Sequence, residues 1–259
     1  MNTLIGDIGN TLTKICLVET NTFKVKKIIY FNSNIILSEK RLYDNLNKII
    51  KNKKINKVAL FSSVVPKYQY LLKKILKKIY KVQLKEIKEK GINKIVKINI
   101  KNKKQVGSDR IANSVGVYKK YKTNCIVLDF GTATTFDVVT KKGIYNGGVI
   151  APGINLSIKS LTNSADQIPI FYMKKQEKII GKNTLEALRS GFYWGYIGLI
   201  NNIILQIEKE TKKKYKIIFT GGFANLFKTS IVRPFKIDKN ITINGIIEIF
   251  KKNINILNK

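Results

Sequence analysis

An α/β fold made of two related halves is what this sequence predicts, on two observations. The segment Asp7-Ile8-Gly9-Asn10-Thr11 returns in altered form as Asp129-Phe130-Gly131-Thr132-Ala133-Thr134-Thr135, and each copy closes an apolar run and opens an alternating one. The same order of strand-like and helix-like segments then follows each copy. An apolar run that ends in Asp, Gly and hydroxyl-bearing residues describes a buried strand whose exit turn presents a carboxylate and small polar donors. Such a turn suits a phosphate chain and its metal, because Gly lets backbone N–H groups approach an anion and Asp can hold a hydrated Mg²⁺. At 259 residues and 44% hydrophobic, the chain can bury two moderate cores. The repeat predicts domains at 1–121 and 122–259.

Each element has a local reason. Residues 3–7, 14–20 and 24–31 read as a meander of three strands, broken at Asn10-Thr11 and Asn21-Thr22. From Ser38 to Lys51, Leu42, Leu46, Ile49 and Ile50 recur at helical spacing. Lys57 to Phe61 is a strand ending at Ser62-Ser63, and Pro66 opens a helix whose Lys73, Lys74, Lys77 and Lys78 form a solvated face. A short strand near Val96 to Ile100 precedes Gly107-Ser108-Asp109-Arg110 and a helix from Ile111 to Tyr121. Strands at 125–129, 134–140 and 144–151 repeat the meander with Lys142-Gly143 as a turn, and Pro152-Gly153 leads into a helix. A long helix spans about Thr184 to Lys209, its Gly191, Gly195 and Gly198 read as close helix packing. The strand Lys216 to Thr220 ends at Gly221-Gly222, a further helix follows, and Asn240 to Asn253 closes the chain. Strand-strand-strand-helix-strand-helix written twice predicts duplicated ribonuclease-H-like (actin-like) domains with a nucleotide cleft between them.

Composition excludes several chemistries. The chain has no histidine and two cysteines, Cys16 and Cys125, each inside an apolar stretch. Zinc sites of Cys/His type and Ser-His-Asp hydrolysis are therefore excluded, and the thiols read as buried and inert. Acid-base work falls to Asp, Glu, Lys or Tyr. The formal charge of +33 would suit nucleic acid, but the basic residues are dispersed among Asn and Ile, as A/T-rich codons alone would produce. We expect no nucleic-acid partner on this ground. No stretch approaches the ~18 consecutive apolar residues of a membrane span, so the expectation is a soluble cytoplasmic protein with no membrane partner.

Six ordered motifs carry a more specific resemblance. Asp7-Ile8-Gly9-Asn10-Thr11 with Lys14, Gly107-Ser108-Asp109-Arg110, Asp129 to Thr135, Gly147-Gly148-Val149-Ile150-Ala151-Pro152-Gly153, Gly181-Lys182-Asn183-Thr184 and Thr220-Gly221-Gly222 together resemble the motif series of type III pantothenate kinases. The resemblance implies an alcohol-accepting phosphotransferase that moves the ATP γ-phosphoryl group onto pantothenate, the first step toward coenzyme A; the alternative is a non-catalytic accessory factor in transcription that shares the kinase fold and would suit the +33 charge. It also implies Mg²⁺, a monovalent cation (K⁺ or NH₄⁺) and a homodimer.

Phosphoryl transfer requires in-line positioning and neutralisation of spreading negative charge. Asp7 can hold Mg²⁺ through water, and Gly9, Asn10, Thr11 and Lys14 can contact phosphate; an ordinary capped turn is the alternative for Asn10 and Thr11. Asp109 is the candidate general base; it also reads as a helix-capping or first-turn acid, and the two roles are compatible because a helix start holds an Asp rigidly. Arg110 can grip a carboxylate or phosphate in a bidentate fork, a surface ion pair being the other reading. Asp129 resembles the family ligand of the monovalent cation, and Thr132 the residue that meets ATP. Gly107, Ser108 and Thr184 resemble substrate contacts, although Asn183-Thr184 before Glu186 also reads as a helix cap. Gly221 and Gly222 would let adenosine approach the backbone, with a simple tight turn as the alternative. The sequence departs from the family just before Gly107, where Ile98 to Val106 contains neither the usual Tyr nor the usual Pro.

Overall fold

The computed structural model describes residues 1–257. They form two compact units, one of 1–120, 143–145 and 240–257, the other of 121–142 and 146–239. In the first unit β1 (Asn2–Ile8), β2 (Leu12–Glu19) and β3 (Val25–Asn32) make the antiparallel meander. The strands β4 (Val58–Ser63) and β5 (Gln83–Glu86) add in parallel, for a sheet order of β3-β2-β1-β4-β5. Helices cover both faces, which is why β1 is buried without interruption from Thr3 to Gly6 rather than alternating.

Helices α1 (Glu39–Ile50) and α2 (Pro66–Tyr80) cover one face. Their Leu42, Leu46, Ile49, Leu72, Ile75 and Leu76 join Leu4, Ile8, Leu17 and Phe61 in a single cluster. Ser38 caps α1 by accepting from Arg41 N, and Pro66 stands at the first position of α2 where no N–H is needed. The other face is covered by α3 (Ser108–Tyr121) and by the last helix of the chain, α6 (Ile241–Leu257). Here Ile5, Cys16, Val18 and Leu60 meet Ala112, Val115, Ile243, Ile246 and Phe250. Two glycines let α3 and α6 touch backbone to backbone: a Cβ on Gly245 would lie 1.8 Å from Ala112 O, and one on Gly116 would lie 2.4 Å from Ile241 O.

In the second unit β7 (Cys125–Phe130), β8 (Ala133–Val139), β9 (Ile144–Pro152), β10 (Lys216–Gly221) and β11 (Phe235–Ile237) take the order β11-β10-β7-β8-β9, the same topology again. A short β6 (Lys97–Ile98) pairs with Ile144 and Tyr145 at the start of β9, residues that belong to the first unit. The core of the second unit joins Ile126, Leu128, Phe136 and Phe219 to α4 (Ile154–Ser164) through Ile154 and Ile158. It also takes in α5 (Thr184–Thr211) through Tyr193, Ile197, Ile200 and Ile204.

Three expectations need correction. Residues 222–230 form turns, not a helix: the closures Leu226 N to Phe223 O, Lys228 N to Asn225 O and Ser230 N to Phe227 O each span three residues. Ala224 and Phe227, three apart and both fully buried, set that tight pitch. Gly191, Gly195 and Gly198 do not mark close packing within the chain, since a Cβ on any of them would meet nothing within 4 Å. The helix expected from Ile111 begins at Ser108, so Asp109 and Arg110 lie inside its first turn. Among the described residues no helix is long and apolar enough to cross a membrane. Both thiols are buried, and burial pushes each up to about 12, which makes them inert at neutral pH.

Candidate active site

The β1–β2 turn is tied from below. Gly9 N donates to Leu12 O at 3.1 Å, and a Cβ on Gly9 would lie only 2.9 Å from that oxygen. Ser33, fully buried, donates its hydroxyl to Gly9 O at 2.7 Å, shares a 2.8 Å bond with the Thr13 hydroxyl, and its N–H reaches Thr11 O at 2.9 Å. Asn10 and Thr11 are thus exposed on a turn whose backbone is fixed from the core side. Asp7 and Lys14, both half-buried, are paired across β1 and β2, and Asp7 also registers with Ser62 on β4. Nothing in the sequence alone singles out Ser33. Its own neighbourhood reads only as the end of a strand, and its partners lie about twenty residues upstream.

The second hairpin is supported by glycine. Gly131 N donates to Ala133 O at 3.1 Å, leaving Gly131 and Thr132 exposed. Gly153, which precedes α4, lies against this loop so closely that a Cβ would sit 2.2 Å from Thr132 O. Half-buried Asp129 registers with Thr135 on β8 and Thr220 on β10. Gly221 has φ +85°, and a Cβ there would sit 2.7 Å from Asp129 Oδ1. Gly222 N donates to Phe130 O at 3.0 Å. Gly221, the last residue of β10, therefore makes room for Asp129, beyond turning the chain.

The third element is the start of α3. Asp109 Oδ1 accepts the Arg110 N–H at 2.8 Å, and a Cβ on Gly107 would fall 2.5 Å from that same oxygen. Burial pushes the Asp109 carboxyl above the usual carboxylate range, opposed by the Arg110 N–H and by the charges of Arg110 and Lys88. The Arg110 guanidinium lies 5.7 Å from the ring centroid of Tyr145, a residue only 2% exposed. Ser108 is itself buried. At the start of α5, Asn183 Oδ1 accepts Glu186 N at 2.9 Å and Glu186 Oε2 accepts Lys182 N at 2.8 Å. The cap is made by Asn183 and Glu186, and Thr184 is the exposed first helical residue.

The structure thus groups Asp7, Gly9, Asn10, Thr11 and Lys14 at one strand exit. Gly107 to Arg110 form one helix start, and Asp129, Thr132, Gly221 and Gly222 gather at the second hairpin. Among the described residues no three His, Cys, Asp or Glu side chains cluster as an all-protein metal cage. Single carboxylates at strand exits do fit Mg²⁺, which keeps several waters and takes substrate phosphates among its ligands.

Two sheets of one topology, each opening with a glycine hairpin that follows an Asp, define a duplicated ribonuclease-H-like protein of the actin-like class. The likeness to solved structures agrees at the level of fold. A protein described as a Baf family transcriptional activator from Campylobacter jejuni superposes with a TM-score of 0.63 at 23% identity, covering 97% of this chain and 99% of that one. The ethanolamine utilization protein EutJ from Carboxydothermus hydrogenoformans gives 0.57 at 12% identity, over 95% and 89% of the two chains. The family model described as type III pantothenate kinase matches residues 3–206. The type III pantothenate kinase of Pelagibacter ubique (strain HTCC1062) is 50% identical over 249 residues, 94% of this chain and 96% of the relative. That of Citrifermentans bemidjiense is 38% identical over 197 residues, 76% and 77% of the two. This chain belongs to the type III pantothenate kinase family.

Proposed function

We propose that this chain transfers the γ-phosphoryl group of ATP to the primary hydroxyl of pantothenate, with Asp109 as the base. Family membership supports the reaction. The observation that carries the residue assignment is a desolvated carboxylate held against Gly107 in the first turn of α3. The pantothenate hydroxyl donates to Asp109; as its oxygen bonds to phosphorus and the bond to the ADP oxygen breaks, the proton passes to the carboxylate and ADP departs. A pKa raised from the ordinary range makes Asp109 a better proton acceptor at neutral pH. Arg110, steadied on the Tyr145 ring, would grip the pantothenate carboxylate, with Gly107, Ser108 and Thr184 completing that substrate's contacts.

Gly9, Asn10, Thr11, Lys14, Thr132, Gly221 and Gly222 would hold ATP. Asp7 would hold Mg²⁺ through water and Asp129 a K⁺ or NH₄⁺ ion, each supplying positive charge against the transferring group. A homodimer is supported by the exposed face of α5 that carries Gly191, Gly195 and Gly198, spaced to share one side of the helix. Exposed apolar side chains on the same unit, Leu156 at 51% and Ile180 at 70%, add to it. The reducing cytoplasm suits two buried thiols. An accessory role in transcription is not favoured, because it gives no physical need for Asp7, Asp109 and Asp129 together.

The test is a coupled ADP-release assay with pantothenate set against sugars, with and without K⁺. Release that requires both pantothenate and K⁺ is expected. Equal release with a sugar, or none with pantothenate, would overturn the reading.

A further inference from the structure

Among the many lysines of this chain, Lys88 is tied down in an unusual way. The strand β5 ends at Glu86, which is 8% exposed and whose Oε2 accepts the Lys88 N–H at 2.7 Å. Ile87 N donates to Phe61 O and Glu89 N to Glu86 O, so the backbone around Lys88 is fixed to the sheet. Its ammonium then donates to Val106 O at 2.8 Å and Lys104 O at 3.1 Å. Those carbonyls belong to the irregular stretch that enters α3, immediately before Gly107. Lys104 itself lies in a one-turn 3₁₀ segment, Lys103–Gln105, capped by Asn102. This is the stretch that lacks the family's Tyr and Pro. A charged donor bound to two backbone carbonyls is a direct clamp on that stretch.

The same lysine acts on the base electrostatically: its charge is among the influences that hold the Asp109 carboxyl down against burial, and it does the same for Glu86. The Ser108 hydroxyl likewise favours the ionised form of Glu86. Glu86, Lys88 and the 104–108 backbone therefore make one connected support, built on β5 and ending at the residue before Asp109.

We propose that Lys88 is a positioning residue for Asp109, its ammonium clamping the carbonyls of Lys104 and Val106 so that the entry to α3 presents the carboxylate in one place. This rests on the reading of Asp109 as the base. Lys88→Met keeps the apolar stem and removes the donor; Lys88→Arg keeps a cation that can bond carbonyls; Lys74→Met, on the exposed side of α2, is the control. We expect K88M to lower kcat about tenfold or more with the KM for ATP moved less than about twofold. K88R should recover most of kcat, and K74M should match the parent. Amide hydrogen exchange supplies a readout that does not depend on the kinase reading: in K88M, and not in K74M, exchange should rise across residues 101–110 while the strands stay protected. Parent-like kcat in K88M, or equal impairment in K88M and K88R, would overturn the proposal, as would unchanged exchange across 101–110. Altered exchange in a protein whose parent lacks pantothenate-dependent turnover would retain the clamp and remove the kinase reading instead.

Discussion

A Cβ on Gly107 would stand 2.5 Å from Asp109 Oδ1, so the missing side chain of one residue is the space occupied by the carboxylate of the other. Gly107→Ala should therefore move Asp109 without deleting it. We expect kcat/KM for pantothenate to fall roughly 10–100-fold with the melting temperature little changed. Asp109→Asn, which keeps the shape and removes the base, should cost about 10²–10⁴ in kcat while ATP still binds. Steady-state kinetics beside a nucleotide-binding titration check both, and near-parental turnover in D109N would remove Asp109 from the role.

The pH dependence follows from the upward shift of Asp109, caused first by desolvation. In the folded protein this acid protonates at a higher pH than in the unfolded chain. Its ionised form therefore weighs against folding at neutral pH, and that penalty is relieved as pH falls through the folded pKa. D109N should melt higher than the parent at pH 7, with the gain shrinking toward acid. The acid limb of kcat/KM should lie above the ordinary Asp range. Thermal melts across pH check the first part; no difference between D109N and the parent at pH 7 would contradict it.

The α3–α6 contact should be intolerant of any side chain. A Cβ on Gly245 would overlap Ala112 O at 1.8 Å, between two helix backbones that cannot both stay in place. Gly245→Ala should destabilise by about 1–3 kcal/mol in urea unfolding. Since α3 carries Asp109 in its first turn, kcat should fall as well. Gly191→Ala on α5, where a Cβ meets open space, should stabilise slightly or do nothing to the monomer.

Asp129→Ala tests the monovalent cation. Removing the carboxylate beside Gly221 should flatten the K⁺ activation curve while far-UV circular dichroism stays unchanged. A K⁺ titration superimposable on the parent would sink the assignment.

The glycine face of α5 predicts the assembly state. Gly195→Glu puts a charge on that exposed face without crowding its own chain, and should convert a dimer to a monomer by light scattering. An unchanged mass would place the dimer contact elsewhere.

Local chemistry made most elements legible. The meanders, the capped α1, the Pro-started α2 and both Asp-Gly hairpins follow from periodicity, caps and turn residues within a few positions of one another. The candidate residues could be found for the same reason, because each sits where an apolar run or a helix begins or ends. Short β5 and β11 escaped, being four and three residues long and held by neighbouring strands rather than by their own pattern. The turns at 222–230 escaped because burial of Ala224 and Phe227 overrode a composition that also suits a helix.

What the sequence by itself determined is the repeated strand-and-hairpin plan and the residue types offered at each strand exit, since these depend on near neighbours in the chain. Only the tertiary structure decided that α6 packs in the first unit through Gly116 and Gly245, that Ser33 fixes the first hairpin, and that Lys88 clamps the entry to α3. Each of those is a contact between residues far apart along the backbone. Its free energy depends on packing and on buried donors finding acceptors, and no local pattern encodes either.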